Sequence, residues 1–216
     1  MLIRQSMTRN SALLGVFAVC TTLLISGTFL LTRDRIAVEK RKAEEKALLE
    51  IVPRSRHDNS MLDETIAVGP RSEGLGLGEE KRIYIARRDG EIIAVVIPAT
   101  APDGYTGEID LVVGVNVDGT IAGVRALSHR ETPGLGDKVD LRKSDWVLGF
   151  EGRSLDNPTL AGWAVKKDKG VFDQFTGATI TPRAVVGATL RVLQFADANR
   201  DILFTGQDQK PVGGES

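Results

Sequence analysis

Ser11 to Thr32 is a run of 22 residues without a charged side chain, rich in Leu, Val, Ile and Phe. As a helix it is long enough to cross the hydrocarbon core of a bilayer, and it has no polar face to turn to water. It divides the 216-residue chain into a short N-terminus 1–10, a transmembrane helix 11–32 and a remainder sized for one soluble domain. A cleaved signal peptide, with Arg4 and Arg9 as its charged start, is the competing reading. Its apolar region would be unusually long and no small-x-small cleavage site follows, so a retained anchor is expected. Arg33, Arg35, Lys40, Arg41, Lys42 and Lys46 follow the span closely, against two basic residues before it. By that charge balance the domain belongs in the cytoplasm.

From Arg33 to Val52 the chain is rich in Ala, Glu and Lys and is predicted to extend the anchor helix until Pro53 stops it. Residues 33–80 are read as a helical linker and loop: Ser60 to Asp63 could start a short helix, and Gly69 to Gly78 is a glycine-rich loop. A phosphate-binding reading of Gly74, Gly76 and Gly78 is weak, since no amphipathic helix clearly follows them. Two hairpins open the domain proper, 81–205. Apolar runs 83–86 and 92–97 flank Asp89-Gly90, and runs 111–117 and 121–127 flank Asp118-Gly119. Asp-Gly tolerates the positive φ of a tight hairpin turn. Ile109, Leu111, Val113, Val115 and Val117 share one face, as a half-buried sheet requires.

His129 to Lys138 contains Pro133, Gly134 and Gly136, which forbid a regular helix, so a rigid exposed loop is predicted. It reads equally as a structural turn or as the wall of a pocket. Ser144 caps a short helix carrying Trp146, and Gly162 to Lys167 reads as a strand. Trp146, Trp163, Phe172 and Phe175 fit a core. In Phe175-Thr176-Gly177-Ala178-Thr179-Ile180-Thr181-Pro182, Thr181 is the expected N-cap of an amphipathic helix over about 182–198, with Pro182 at its first position. Gly177 and Ala178 admit a close approach, and Thr179 offers a hydroxyl at the positive end of the helix dipole, where a phosphate is stabilised. A plain loop and cap is the other reading of those residues. The tail 206–216 is polar and expected to be disordered.

The charge balance, 28 Lys and Arg against 29 Asp and Glu, provides no basic excess for a nucleic acid. Two histidines and one cysteine, Cys20, cannot assemble a metal site with the usual ligand spacing.

Thr176-Gly177-Ala178-Thr179 resembles the Ser/Thr-Gly-Ala-Thr motif of FMN-binding domains whose FMN is joined through its phosphate to the last threonine. Gly104-Tyr105-Thr106-Gly107, the run 109–115, His129 to Lys138, Lys143 to Trp146 and Asp173-Gln174-Phe175 precede it in an order similar to the G subunits of Rnf/Rsx electron transport complexes. The resemblance implies an α+β fold, a transmembrane helix followed by an FMN-binding domain of antiparallel β-hairpins packed with helices. It implies covalent FMN on Thr179, with Thr176, Gly177, Ala178 and Thr181 around the linkage and Glu131, Thr132, Gly134, Leu135 and Gly136 as pocket wall. It also implies a role: an electron relay, without turnover of its own, in an ion-translocating ferredoxin:NAD oxidoreductase. The implied partners are membrane and iron–sulfur subunits, membrane lipid, and a flavin transferase that moves FMN from FAD with magnesium. The domain would lie on the periplasmic side of a bacterial inner membrane, against the charge count; long translocated domains follow that count poorly. Two alternatives stand beside this reading. One is the flavin subunit of a sodium-pumping NADH:quinone oxidoreductase; the other is a flavin-free anchored scaffold.

Overall fold

The computed structural model describes residues 2–205, so Met1 and the expected disordered tail 206–216 lie outside the described residues. Two compact units divide between Glu44 and Glu45. The first is helical, part of α1 (Leu2–Ile51). Leu14, Phe17, Leu24 and Leu31 are all exposed there, and the helix is long and apolar enough to cross a membrane. Its threonines turn their hydroxyls onto carbonyls one turn back: Thr21 donates to Phe17 at 2.9 Å, Thr22 to Ala18 at 2.8 Å and Thr32 to Thr28 at 2.7 Å. Hydroxyls satisfied within the helix are compatible with hydrocarbon surroundings.

The second unit is built on a five-stranded antiparallel meander: β1 (Thr65–Val68), β2 (Lys81–Arg88), β3 (Glu91–Ala101), β4 (Ile109–Asn116) and β5 (Ile121–Ser128). Helices α2 (Ile180–Ala198) and α3 (Arg200–Thr205) follow a long irregular segment. Both predicted hairpins form. In the first, Asp89 and Gly90 take φ of 53° and 84°, as a primed turn demands. In the second only Gly119 is left-handed, at 86°. There the Asp118 carboxylate accepts from the Thr120 hydroxyl at 2.6 Å and amide at 2.9 Å, bonds that hold its pKa below the ordinary value.

The sheet is buried on both faces, not one. Ile83, Ile85, Val95, Ile97, Leu111 and Val113 form the main core with Val185, Val192 and Leu193 of α2. The alternate residues Tyr84, Ala86, Ala94, Val96 and Val112 pack with Leu48, Ile51, Val52 and Met61. The end of α1 therefore belongs to the domain core. Gly114 and Gly123 are register partners in β4 and β5. A Cβ on Gly114 would sit 2.3 Å from Ile51 Cγ2, so glycine is what lets the helix end lie against the sheet. Beside it Arg125, buried on the same face, donates to the Glu50 carboxylate at 3.2 Å and to the Glu50 carbonyl at 3.1 Å.

Several sequence expectations are corrected. Ser60 to Asp63 is a turn, closed by Ser60 Oγ on Asp63 at 2.7 Å, and it leads into β1, which the sequence did not announce. Gly74 and Gly76 pack on the protein, in keeping with the weak phosphate-binding reading: Arg191 donates to the Gly74 carbonyl, and a Cβ on Gly76 would meet the Thr100 carbonyl oxygen at 2.4 Å. Gly162 to Lys167 is not a strand. Short 3-10 turns at Leu160–Gly162 and Lys166–Asp168 replace it, with one isolated bridge from Val165 to Phe172.

Candidate functional site

Phe175 to Ala178 form a tight turn closed by the Ala178 amide on the Phe175 carbonyl at 3.1 Å. Gly177, third in that turn, has φ of 80°, which a residue with a Cβ adopts only under strain. The turn runs straight into α2, whose first residue is Ile180, two earlier than expected. Thr179 is itself the cap residue, yet its φ and ψ of −94° and −27° are already helical and its side chain makes no capping hydrogen bond. Its hydroxyl is thus unspent at a helix start, where first-turn amides lack intrahelical partners. Thr176 is exposed at the second position of the turn.

Thr181 is not the N-cap. It is the second residue of α2, fully buried, and donates its hydroxyl to Glu131 Oε2. The other Glu131 oxygen accepts from the Thr106 amide at 3.0 Å and the Thr106 hydroxyl at 3.1 Å. The 129–138 segment is accordingly not an exposed loop throughout, since a carboxylate with that many donors can be taken out of water. Glu131 is 4% exposed, and Gly136 and Val139 are buried with it. Gly136 has to be glycine: a Cβ would lie 2.7 Å from Glu131 Oε2 and 2.8 Å from the Thr181 hydroxyl. Its outer part fits the rigid-turn expectation. Thr132 O accepts from the amides of Leu135 and Gly136, and the Gly134 amide donates to Asp137 at 2.8 Å. Leu135 stays exposed and reaches over the Phe175–Ala178 turn, its Cδ2 3.4 Å from where a Gly177 Cβ would be.

Behind the turn sits the expected aromatic core. Trp146 meets Phe175 edge-on at 5.0 Å and Phe150 at 5.2 Å, and Phe150 stacks on Phe172, which contacts Trp163 at 5.2 Å. Ser144 caps this short helix as predicted, accepting from the Trp146 amide, and Trp146 Nε1 donates to the Asp173 carbonyl at 2.8 Å. On α2, Arg183 forms a two-pronged bond with Asp168 at 2.5 and 2.6 Å, which holds that carboxyl below its ordinary value. Sequence reading missed Thr106, Asp168 and Arg183 as neighbours of the site. Thr106 alone carried a signal, between Gly104 and Gly107, where a Cβ on Gly104 would lie 2.3 Å from the Gly107 carbonyl oxygen.

The Arg142 guanidinium on Asp140 Oδ2 at 2.5 Å keeps the Asp140 carboxyl below its ordinary 3.8. A depressed folded-state pKa contributes stability above 3.8 that is lost as pH falls through the lower folded value. Because Arg142 is 83% exposed, the contribution is screened. Asp140→Asn is therefore expected to cost about 1 kcal/mol or less at neutral pH. The variant's melting temperature should fall less than the wild type's on acidification from about pH 5 to pH 3. A parallel fall in both would assign the acid sensitivity to other carboxylates.

The donors fit FMN: an unspent hydroxyl and helix amides for a phosphate, with exposed Leu135 and Ile180 as apolar surface for a planar ring. Among the described residues no group of acidic, His or Cys side chains could hold a metal. Comparison with known proteins agrees with the geometry. Residues 104–194 match the FMN-binding domain family, and residues 1–51 match the RnfG N-terminal region. The chain is 48% identical over 206 residues, 95% of each chain, to the G subunit of the ion-translocating oxidoreductase complex of Pseudomonas aeruginosa. It is 46% identical, again over 95% of each, to the G subunit from Pseudoalteromonas atlantica. A solved structure, the C subunit of the Na(+)-translocating NADH-quinone reductase from Parabacteroides distasonis, is 20% identical with a TM-score of 0.46 over 65% of this chain and 77% of that one. The chain belongs to the family of G subunits of ion-translocating oxidoreductase complexes.

Proposed function

We propose that this chain is a membrane-anchored flavoprotein subunit that relays electrons through FMN joined by a phosphoester to Thr179. The observation that carries the reading is the Thr179 hydroxyl, free of any capping bond at the start of α2, inside the region that matches FMN-binding domains. Bound FMN supplies the redox chemistry; the protein supplies position and electrostatics. First-turn amides of α2 would hold the phosphate, Gly177 would let it approach the backbone, and the exposed Leu135 and Ile180 would offer the ring apolar surface. A threonine hydroxyl is a weak nucleophile without a neighbouring base. Attachment is therefore assigned to a separate flavin transferase using FAD and magnesium. The Thr179 oxygen forms the new bond to the FMN phosphorus, the pyrophosphate bond of FAD breaks, and AMP leaves with the hydroxyl proton. Co-expression with such an enzyme should give a denatured band that fluoresces and a mass higher by one FMN less one water. A peptide map that placed this mass outside the segment from Asp173 to Arg183 would overturn the assignment.

The working context is an ion-translocating ferredoxin:NAD oxidoreductase, with membrane and iron–sulfur subunits as neighbours. Covalent attachment suits a domain outside the cytoplasm, where no FMN pool would replace a lost cofactor; the proposed location is the periplasmic side of a bacterial inner membrane. A reporter fused after Ser216 is expected to be active only outside the cytoplasm. Activity inside would mean that the basic residues after the span set the orientation.

A further inference from the structure

Glu131 was expected in the wall of a flavin pocket, but its carboxylate is turned away from solvent and is held by protein donors on both oxygens. Three segments meet on it: the 104–107 turn through Thr106, its own 129–138 segment, and the start of α2 through Thr181. Room for this junction is made by two glycines. A Cβ on Gly104 would lie 3.0 Å from Glu131 Oε1, and one on Gly136 would lie 2.7 Å from Oε2. Thr181 is two residues beyond Thr179, in the same first turn of helix. A group that fixes the Thr181 side chain therefore fixes the direction in which α2 begins, and with it the direction of the Thr179 hydroxyl. The cap position does not share this task, because Thr179 itself makes no capping bond.

We propose that Glu131 is the positioning residue of the attachment turn: acting through Thr181, it holds the Thr179 hydroxyl in the geometry a flavin transferase requires, and it does not touch the flavin. This rests on the reading of Thr179 as the FMN-bearing residue. The turn is then shaped before any flavin arrives, so the enzyme meets a formed substrate and spends no binding energy on ordering it.

The test uses the full chain in detergent, held below the melting temperature of every variant, with FAD, magnesium and a flavin transferase. Intact mass follows the initial rate of flavin gain, and amide hydrogen exchange over 176–181 is followed in the unloaded chain. Thr181→Val keeps the volume but loses the hydroxyl. It should slow attachment about tenfold or more and raise exchange in the turn by a similar factor. Glu131→Met should do the same, and the double variant should be no slower than either single one, since both break one link. Glu131→Gln, which can accept from Thr106 and donate to Thr181, should restore both readouts to near the wild-type level. The visible spectrum of fully loaded Glu131→Gln should be unchanged.

Wild-type rate and exchange in Thr181→Val would overturn the proposal, and so would additive losses in the double variant. A shifted flavin spectrum in Glu131→Gln would overturn it in another way, by showing direct contact. Should Glu131→Met fail to fold, Thr181→Val and Glu131→Gln decide the matter alone. Flavin gained by Thr179→Ala would instead refute the attachment site itself, and the exchange results, which need no flavin, tell that failure from this one.

Discussion

Thr179→Ala is expected to leave the chain with no covalently held flavin at all. The substitution removes the atom that would carry the phosphoester, and the turn provides no equivalent. Thr176 is exposed at the second position of the turn and outside α2, while the Thr181 hydroxyl is buried against Glu131. Because the Thr179 side chain makes no capping bond, its loss should cost well under the roughly 1 kcal/mol of a broken N-cap. Fluorescence of the denatured band and the added mass should both vanish while the melting temperature holds. Thr176→Ala should keep at least part of each signal. Fluorescence that survived in Thr179→Ala would refute the assignment outright.

A second large effect concerns where the domain begins. A chain starting at Pro53 lacks Leu48, Ile51 and Val52, each buried on the second face of the sheet. Removing such side chains costs about 2–5 kcal/mol apiece for the larger ones. Arg125 would in addition lose both of its bonds to Glu50, keeping the Val124 carbonyl at 2.8 Å and Glu151 at 4.0 Å. Together these approach the whole stability of a typical domain, about 5–15 kcal/mol. The chain from Pro53 should show no cooperative thermal transition, whereas one starting at Arg41 should. In the full chain the same contact can be probed gently. Gly114→Ala, which pushes a methyl into Ile51, should cost about 1–3 kcal/mol. Gly123→Ala, whose nearest neighbour would be 3.4 Å away, should cost less. Equal losses at the two glycines would mean that Ile51 does not seat as described.

Legibility in the sequence followed the range of the forces involved. Asp89-Gly90 and Asp118-Gly119 announced both hairpins, because turn chemistry is settled within four residues. Pro53 marked the end of α1 to within two residues. The two-sided burial of the sheet could not be read from β4 alone. Val112 and Gly114 look like the solvent side of a strand until residues 45–52 are known to cover them. Thr181 was read as a cap because Thr followed by Pro is a good local signal; a partner 50 residues away, Glu131, drew it into the helix instead. The strand expected at 162–167 failed for the opposite reason. Trp163 packs into the aromatic core from short turns, and the segment pairs through a single bridge, Val165 to Phe172. At the candidate site, the sequence offered the motif Thr176 to Thr179, while the bonds that join Thr106, Glu131 and Thr181 beside it span 25 and 50 residues and lay beyond local reading.

The aromatic cluster behind the Phe175–Ala178 turn has a practical consequence. Trp146 and Trp163 are the only tryptophans in the chain, and both belong to that cluster. Indole emission overlaps flavin absorption, so a flavin on Thr179 would drain excitation most from Trp146, which touches Phe175 of the turn, and less from Trp163, deeper in the cluster. The protein thus carries its own optical gauge. Its ultraviolet-excited glow should dim in step with cofactor loading, and it should brighten again when the loaded chain is unfolded and the rings part from the flavin.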